Sequence, residues 1–165
     1  MSYTVSMQTV HVTGGAGFFG DILKRKLLAE NLTVISIDLE KDTMVHPHLV
    51  CIQGDIRDAH VLDNIFTTYP IVAVFHLAAI LAHAISDTQY LWSCNVEGTQ
   101  SLINAMKKAG VRRLIHTSTN CLWGEGMGRP IREEDTPHPV EIYGRAKLEG
   151  EHIILSNAQD IDAVI

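Results

Sequence analysis

Apolar residues in this chain fall in two kinds of segment. Short apolar-rich strand candidates occupy residues 8–13, 32–38, 48–53, 71–76, 111–118 and 161–165. Between them, at 18–30, 58–68, 86–109 and 141–157, apolar positions return at helical spacing. A half-wet strand alternates apolar with polar, whereas a continuous Val, Ile and Leu run is covered on both faces, which implies a parallel sheet with helices on each side. The alternation predicts a doubly wound parallel α/β sheet. No internal repeat or low-complexity linker interrupts it, and the Gly-, Pro- and charge-rich stretch 124–139 reads as a surface loop.

The first predicted strand runs directly into Thr13-Gly14-Gly15-Ala16-Gly17-Phe18-Phe19-Gly20 and then a helix. Lacking side chains, Gly14 and Gly17 let the backbone turn tightly and approach phosphate. Gly20 lets the helix pack close to the strand, and the helix N-terminus aims free N–H groups at negative charge. The competing reading is a glycine-rich surface turn. Context argues against it: an apolar run precedes, an amphipathic segment with Ile22, Leu23, Leu27 and Leu28 follows, and the next strand ends in Asp38. Asp38 lies 18 residues beyond Gly20, where a carboxylate accepts from adenosine ribose hydroxyls and repels a 2′-phosphate. With Leu39-Glu40-Lys41 offering no arginine, NAD is expected rather than NADP. A solvated aspartate ending a strand is the alternative.

Composition narrows the partners. At 165 residues and 46% hydrophobic, the chain can bury one core, so one domain over 1–165 is expected. The 13 basic and 19 acidic residues give a net charge of −6 without a basic cluster, which disfavours nucleic acid and lipid surfaces. No apolar run approaches the roughly 20 residues of a membrane span, and Met1 to Gln8 lacks the pattern of a signal peptide, so a cytoplasmic location is expected. Cys51, Cys94 and Cys121 are odd in number and sit among apolar neighbours, as reduced core thiols do. The histidines show no zinc-like helical spacing, and no metal is expected.

Further motifs carry chemistry. In Gly54-Asp55-Ile56-Arg57-Asp58, after the third strand, Asp55 can accept the adenine amino proton and Ile56 can pack on the ring; Asp58 also reads as a helix cap, and both can hold. His76-Leu77-Ala78-Ala79 ends the fourth strand in small residues that suit a neighbouring ribose or an ordinary close-packed strand end. Tyr143 and Lys147 lie one turn apart on a predicted helix, and Thr119 stands at the mouth of the fifth strand. An ammonium beside a phenol favours the phenolate, so the pair can exchange a proton with an alcohol or carbonyl whose oxygen Thr119 holds. A tyrosine and lysine on a solvated helix face is the alternative.

These motifs, with Asn95-Val96-Glu97-Gly98-Thr99, Thr117-Ser118-Thr119 and Leu122-Trp123-Gly124, resemble the series of the extended short-chain dehydrogenases over nearly the whole chain. Within that group the chain is most similar to the NAD-dependent epimerase/dehydratase family, of which UDP-glucose 4-epimerase is a familiar member. The resemblance implies a Rossmann domain that binds NAD. Phe18 and Phe19 would meet the pyrophosphate through their backbone, Asp38 the adenosine ribose, and Asp55 and Ile56 the adenine. Leu77, Ala78, Ala79 and Leu81 would flank the cofactor, and Asn95 and Thr117 complete the pocket. Thr119, Tyr143 and Lys147 are implied as the catalytic set, with Lys147 also on the nicotinamide ribose and Tyr143 counted on both sides. Substrate would be a nucleotide sugar, oxidised at a hydroxyl and, in an epimerase, reduced from the other face.

Departures from the family pattern narrow the expectation. Asn120 and Cys121 stand where dehydratases carry an Asp-Glu pair, which disfavours elimination, and Leu81 stands where some galactose epimerases carry lysine. Family members run to roughly twice this length. The chain stops at Ala163-Val164-Ile165 within an apolar run and is expected to be a fragment without the substrate lobe, or half of an intertwined assembly. The resemblance also implies a homodimer through 86–109 and 141–157, where Leu91, Leu102, Ile103, Met106, Ile153 and Ile154 exceed what one sheet face needs. A carbonyl or hydroxysteroid-type reductase and a non-catalytic nucleotide-binding module are the alternatives.

Overall fold

The computed structural model describes residues 7–84, 86–124, 126 and 128–165. Most of Met1 to Gln8, Ile85 in the segment before the third helix, and Glu125 and Met127 in the surface loop lie outside the described residues. Six parallel strands form one sheet: β1 (Thr9–Thr13), β2 (Thr33–Asp38), β3 (Leu49–Gln53), β4 (Ile71–His76), β5 (Arg113–His116) and β6 (Asp162–Val164). Their order, β3-β2-β1-β4-β5-β6, is that of the Rossmann fold. The chain winds outward from β1 in one direction, returns, and winds outward in the other. The connections leaving β1 and β4 therefore part above the sheet, and a crevice opens at their carboxyl ends. Register places Thr13 beside Ile37 on one side and His76 on the other, with His116 beyond His76.

The central strands are covered on both faces, including their polar positions Thr9, His11, Thr13 and Ser36. β1 is buried at every position and β2 from Val34 to Ile37. The helices α1 (Phe18–Ala29), α2 (Ala59–Thr68), α3 (Thr88–Trp92), α4 (Gly98–Ala109) and α5 (Ile142–Ser156) flank the sheet. Asp58 caps α2 by accepting from the backbone of His60 and Val61, as its position predicts, and Gly110 ends α4 in the left-handed conformation with φ 71°. No helix among the described residues is long and apolar enough to cross a membrane.

Three expectations change. The helix predicted over 86–109 is interrupted by a π-helical turn at Ser93–Glu97, which divides it into α3 and α4. The run 161–165 is divided: Ile161 is buried in the main core, while the short strand β6 after it is exposed throughout, Val164 to 66%. Of the apolar residues named for an interface on α3, α4 and α5, all but the half-buried Ile153 are taken up by the chain's own core. Leu102, Ile103, Met106 and Ile154 join the main core and Leu91 a smaller cluster, each at most 1% exposed within the single chain.

A charged residue inside the layers is absent from the sequence reading. Lys24 on α1 is fully buried and forms an ion pair with Asp42, which ties the segment after β2 back to the helix. Asp42 also accepts from the backbone of Met44 at 3.0 Å. Removing one member of a buried pair strands the other charge, whereas removing both does not. Lys24→Met and Asp42→Leu alone are each expected to destabilise by about 3 kcal/mol or more, and the double variant by clearly less than their sum. Urea unfolding with additive losses would overturn this reading.

Candidate functional site

The glycine turn is built for contact with its own chain on one side and for open approach on the other. Gly14 has φ +73°, donates to the carbonyl of Ile37 at 2.9 Å, and comes so near the segment after β4 that a Cβ would lie 2.7 Å from the nitrogen of Ala78. Gly20 packs the start of α1 against the turn, where a Cβ would lie 2.3 Å from the Gly14 carbonyl. Gly15, which the motif did not single out, backs onto Ser36 just as closely. Gly17 differs. A Cβ there meets only the Gly14 carbonyl, at 3.4 Å, so nothing in the protein requires glycine. Gly17 is also the N-cap of α1 and offers no side-chain bond to the first N–H groups, which suits a phosphate in that place.

Asp38, at the end of β2, closes this turn. Its carboxylate accepts from the backbone of Ala16 at 2.9 Å and of Glu40 at 3.0 Å. A cleft of about 260 Å³ opens beside it, lined by Gly14, Gly17, Asp38, Asp55 and Ile56, with Leu77, Ala78 and Ala79 on the far wall. The cleft has the phosphate-facing turn, the ribose-facing acid and the apolar end that a dinucleotide requires, so the residues fit that group. Phe18 and Phe19 project outward, 86% and 53% exposed, and leave only their backbone near the turn. Leu81 stands off the lining at 41% exposure, while Ile80, within the expected 77–81 segment, and Cys94, unforeseen from sequence, belong to it. Asp55 is heavily engaged: Arg57 grips both carboxylate oxygens, at 2.9 and 3.0 Å, and reaches Ser93 Oγ at 2.7 Å with its guanidinium over the Tyr90 ring. The Arg57 hydrogen bond is the main cause holding the Asp55 carboxyl below its usual range.

A buried polar relay supports the far wall. The backbone N–H of Ala78 donates to Thr13 Oγ1 at 3.2 Å, leaving the Thr13 proton for His76 Nδ1 at 2.7 Å. His76 Nε2 donates to Thr99 Oγ1 at 2.9 Å, and Thr99 donates to the Asn95 carbonyl at 2.7 Å. Only a neutral His76 protonated at Nε2 satisfies this series, which assigns the tautomer. Burial, with the nearby His116 and Lys147, holds its pKa well below 6.5. The Asn95 side chain then brackets Ile80, accepting from its N–H at 2.7 Å and donating to its carbonyl at 2.9 Å. Asn95 thus acts on the pocket through the Ala78–Ile80 wall.

The second cluster lies at the carboxyl end of β5. Thr119 Oγ1 accepts from the Cys121 backbone at 3.2 Å and begins the short turn Asn120–Trp123. Tyr143 and Lys147 share α5, one turn apart. Lys147 is 5% exposed; it donates to the Thr117 carbonyl at 2.6 Å and its Nζ lies 3.1 Å from His116 Nε2. Burial brings Lys147 down to about 8, with the Glu151 charge acting the other way. The Tyr143 phenol is displaced upward rather than down: burial raises it first and the nearby Cys121 adds to that, while the Thr119 hydrogen bond draws it partly back. In this state the lysine is turned to Thr117 and His116. Thr119, Tyr143 and Lys147 do not line the cleft itself.

A doubly wound sheet with a phosphate turn at its switch point and a Tyr-x-x-x-Lys helix beyond it defines a dinucleotide-dependent oxidoreductase class. The chain belongs to the NAD dependent epimerase/dehydratase family, whose profile matches residues 10–165. It is 33% identical over 151 residues to a UDP-glucose 4-epimerase of Lacticaseibacillus casei, covering 88% of this chain and 46% of that protein. A 3 beta-hydroxysteroid dehydrogenase/Delta 5-->4-isomerase of Mycobacterium tuberculosis is 32% identical, covering 94% and 44%. The Bordetella bronchiseptica enzyme WbmG, solved in complex with NAD and UDP, superposes with a TM-score of 0.87 at 27% identity, covering 96% of this chain and 52% of that one. The chain spans about half the length of the proteins it matches. NAD is the family's cofactor, as the sequence led one to expect.

Two measurements test the site. Because Asp38 closes the turn and a carboxylate there would repel a 2′-phosphate, NAD is expected to bind at least about tenfold more tightly than NADP, roughly 1.4 kcal/mol. Asp38→Ala should shrink that margin, and equal affinities for both in calorimetric titration would overturn it. His11 and His116, held by burial at about 4 and about 3, lie below the unfolded value of 6.5. The unfolded chain then binds more protons below pH 6.5, so stability present above that value is lost progressively as pH falls from 6.5 to about 4 for His11 and about 3 for His116. A urea midpoint that does not fall between pH 7 and about pH 4 would count against this.

Proposed function

We propose that this chain forms the cofactor-binding half of an NAD-dependent enzyme that oxidises and re-reduces a hydroxyl of a nucleotide sugar, as an epimerase does. The observation that carries the reading is the arrangement at β5 and α5: Lys147 fixed on the Thr117 carbonyl, Tyr143 one turn before it, and Thr119 at the start of the intervening turn. The glycine turn, Asp38, Asp55, Ile56 and the Leu77–Ala79 wall would hold NAD, which when bound supplies the hydride acceptor. Tyr143, kept protonated by burial, is the acid that gives its phenolic proton to a ketone oxygen and, as phenolate, the base that takes one from a hydroxyl. The Lys147 ammonium favours that phenolate, and the Thr119 hydroxyl orients the same substrate oxygen. Asn120 and Cys121 supply no carboxylate beside Thr119, which supports redox exchange over dehydration.

The relatives supply the substrate class: several are UDP-glucose 4-epimerases, and WbmG was solved with UDP. The mycobacterial relative favours a second reading, a hydroxysteroid-type dehydrogenase using the same residues. Interconversion of UDP-glucose and UDP-galactose by the full-length protein, followed by proton NMR, tests the first reading, and oxidation of a 3β-hydroxysteroid instead would replace it. Tyr143→Phe in that protein is expected to lower kcat by about 10²-fold or more with NAD affinity kept. Because the reading needs a cationic lysine, kcat should also fall as pH rises past about 8, where Lys147 loses its proton. Wild-type turnover by Tyr143→Phe would overturn the catalytic assignment.

A further inference from the structure

His116 ends β5 and takes no part in the chemistry above, yet it touches the residue on which that chemistry turns. Its ring is 4% exposed and packs on His76 at 5.0 Å between centroids, tilted by 36°. Nε2 lies 3.1 Å from Lys147 Nζ, while Nδ1 is buried without a hydrogen-bond partner. Burial keeps the imidazole neutral, with the Lys147 charge adding to the effect. An ammonium carries three hydrogens and no lone pair, so it can only donate. Nε2 must therefore accept, and the ring proton must sit on Nδ1, the nitrogen that finds no partner. The opposite tautomer would set an N–H against the ammonium. His116 thus leaves one buried donor unsatisfied while its other nitrogen meets the lysine, an arrangement that packing alone does not call for.

We infer that His116 is a positioning residue for Lys147, its neutral ring accepting from the ammonium so that, with the Thr117 carbonyl, two of the three ammonium hydrogens are fixed and the third is left for a ligand. The inference rests on Lys147 being the cation of the proposed site. The titratable groups that face Lys147 are His116 and, behind it, His76 from the sheet, and Tyr143 and Glu151 from α5 itself. Glu151 is engaged by Ser118, which leaves His116 as the side chain seen to accept from Lys147.

The test reads the lysine directly, without turnover. In this chain labelled at lysine Cε, the Lys147 resonance, assigned by its loss in Lys147→Arg, should titrate near 8. His116→Phe fills the ring's volume without an acceptor and should lower that midpoint by about one pH unit. His116→Gln, whose amide oxygen reaches the place of Nε2, should return it toward the wild-type value. An unchanged midpoint in a folded His116→Phe overturns the inference, as does a glutamine variant no better than phenylalanine. Should the phenylalanine variant not fold, imidazole ¹⁵N shifts of the wild-type chain decide: protonation at Nδ1 below the lysine midpoint supports the inference, and protonation at Nε2 overturns it. These outcomes are independent of Tyr143→Phe, whose failure would sink the catalytic reading while leaving the Lys147 midpoint where it is.

Discussion

The arrangement of the pocket depends on one buried series of hydrogen bonds, from the Ala78 N–H through Thr13, His76 and Thr99 to the Asn95 carbonyl. Each member donates in the same direction, so the series tolerates one protonation state of His76 and one rotamer of each hydroxyl. It joins the last residues of β1 and β4 to the helical segment behind them, across the point where the sheet's winding reverses. Together with the backbone bond from Leu77 N–H to the Thr13 carbonyl, it holds the Gly14 turn and the Ala78 strand end at the close approach that leaves no room for a Cβ.

The same series explains why polar residues stand in a core otherwise made of Val, Ile and Leu. His11 meets the Ile35 carbonyl, His76 the two threonines, and His116 the lysine, so each buried imidazole has at least one polar partner. His76 sits between the two halves of the site: through Thr99 and Asn95 it steadies the cofactor wall, and through its face it backs His116 and, beyond that, Lys147. The cofactor wall and the catalytic helix are held by one contiguous set of contacts.

Much of this was legible from residue order. Continuous apolar runs separated by helical segments are enough to specify a parallel doubly wound sheet, and the glycine turn with Asp38 locates the crevice, because both depend on local pattern and backbone freedom. What the pattern could not express is pairing over distance. Lys24 reads as an ordinary charge on an amphipathic helix until Asp42 is brought to it, and Arg57 reads as solvated until it closes on Asp55 and Ser93. Pattern alone also could not divide the run 161–165, in which Ile161 enters the core and β6 stays open. The upward shift of the Tyr143 phenol was equally invisible, since it follows from burial first and then from the neighbouring Cys121.

The π-helical turn at Ser93–Glu97 sets the geometry of the longest helical stretch in the chain. Inserting one residue into a helix rotates everything beyond it by about 100°, the angle per residue of an α-helix. α3 and α4 are therefore out of phase, and the stripe that each presents outward does not continue into the other. A straight partner helix could follow one stripe or the other but not both. The turn that brings Asn95 inward, where it is buried with Thr99, thus also divides the outer surface of this helical stretch into two separate faces.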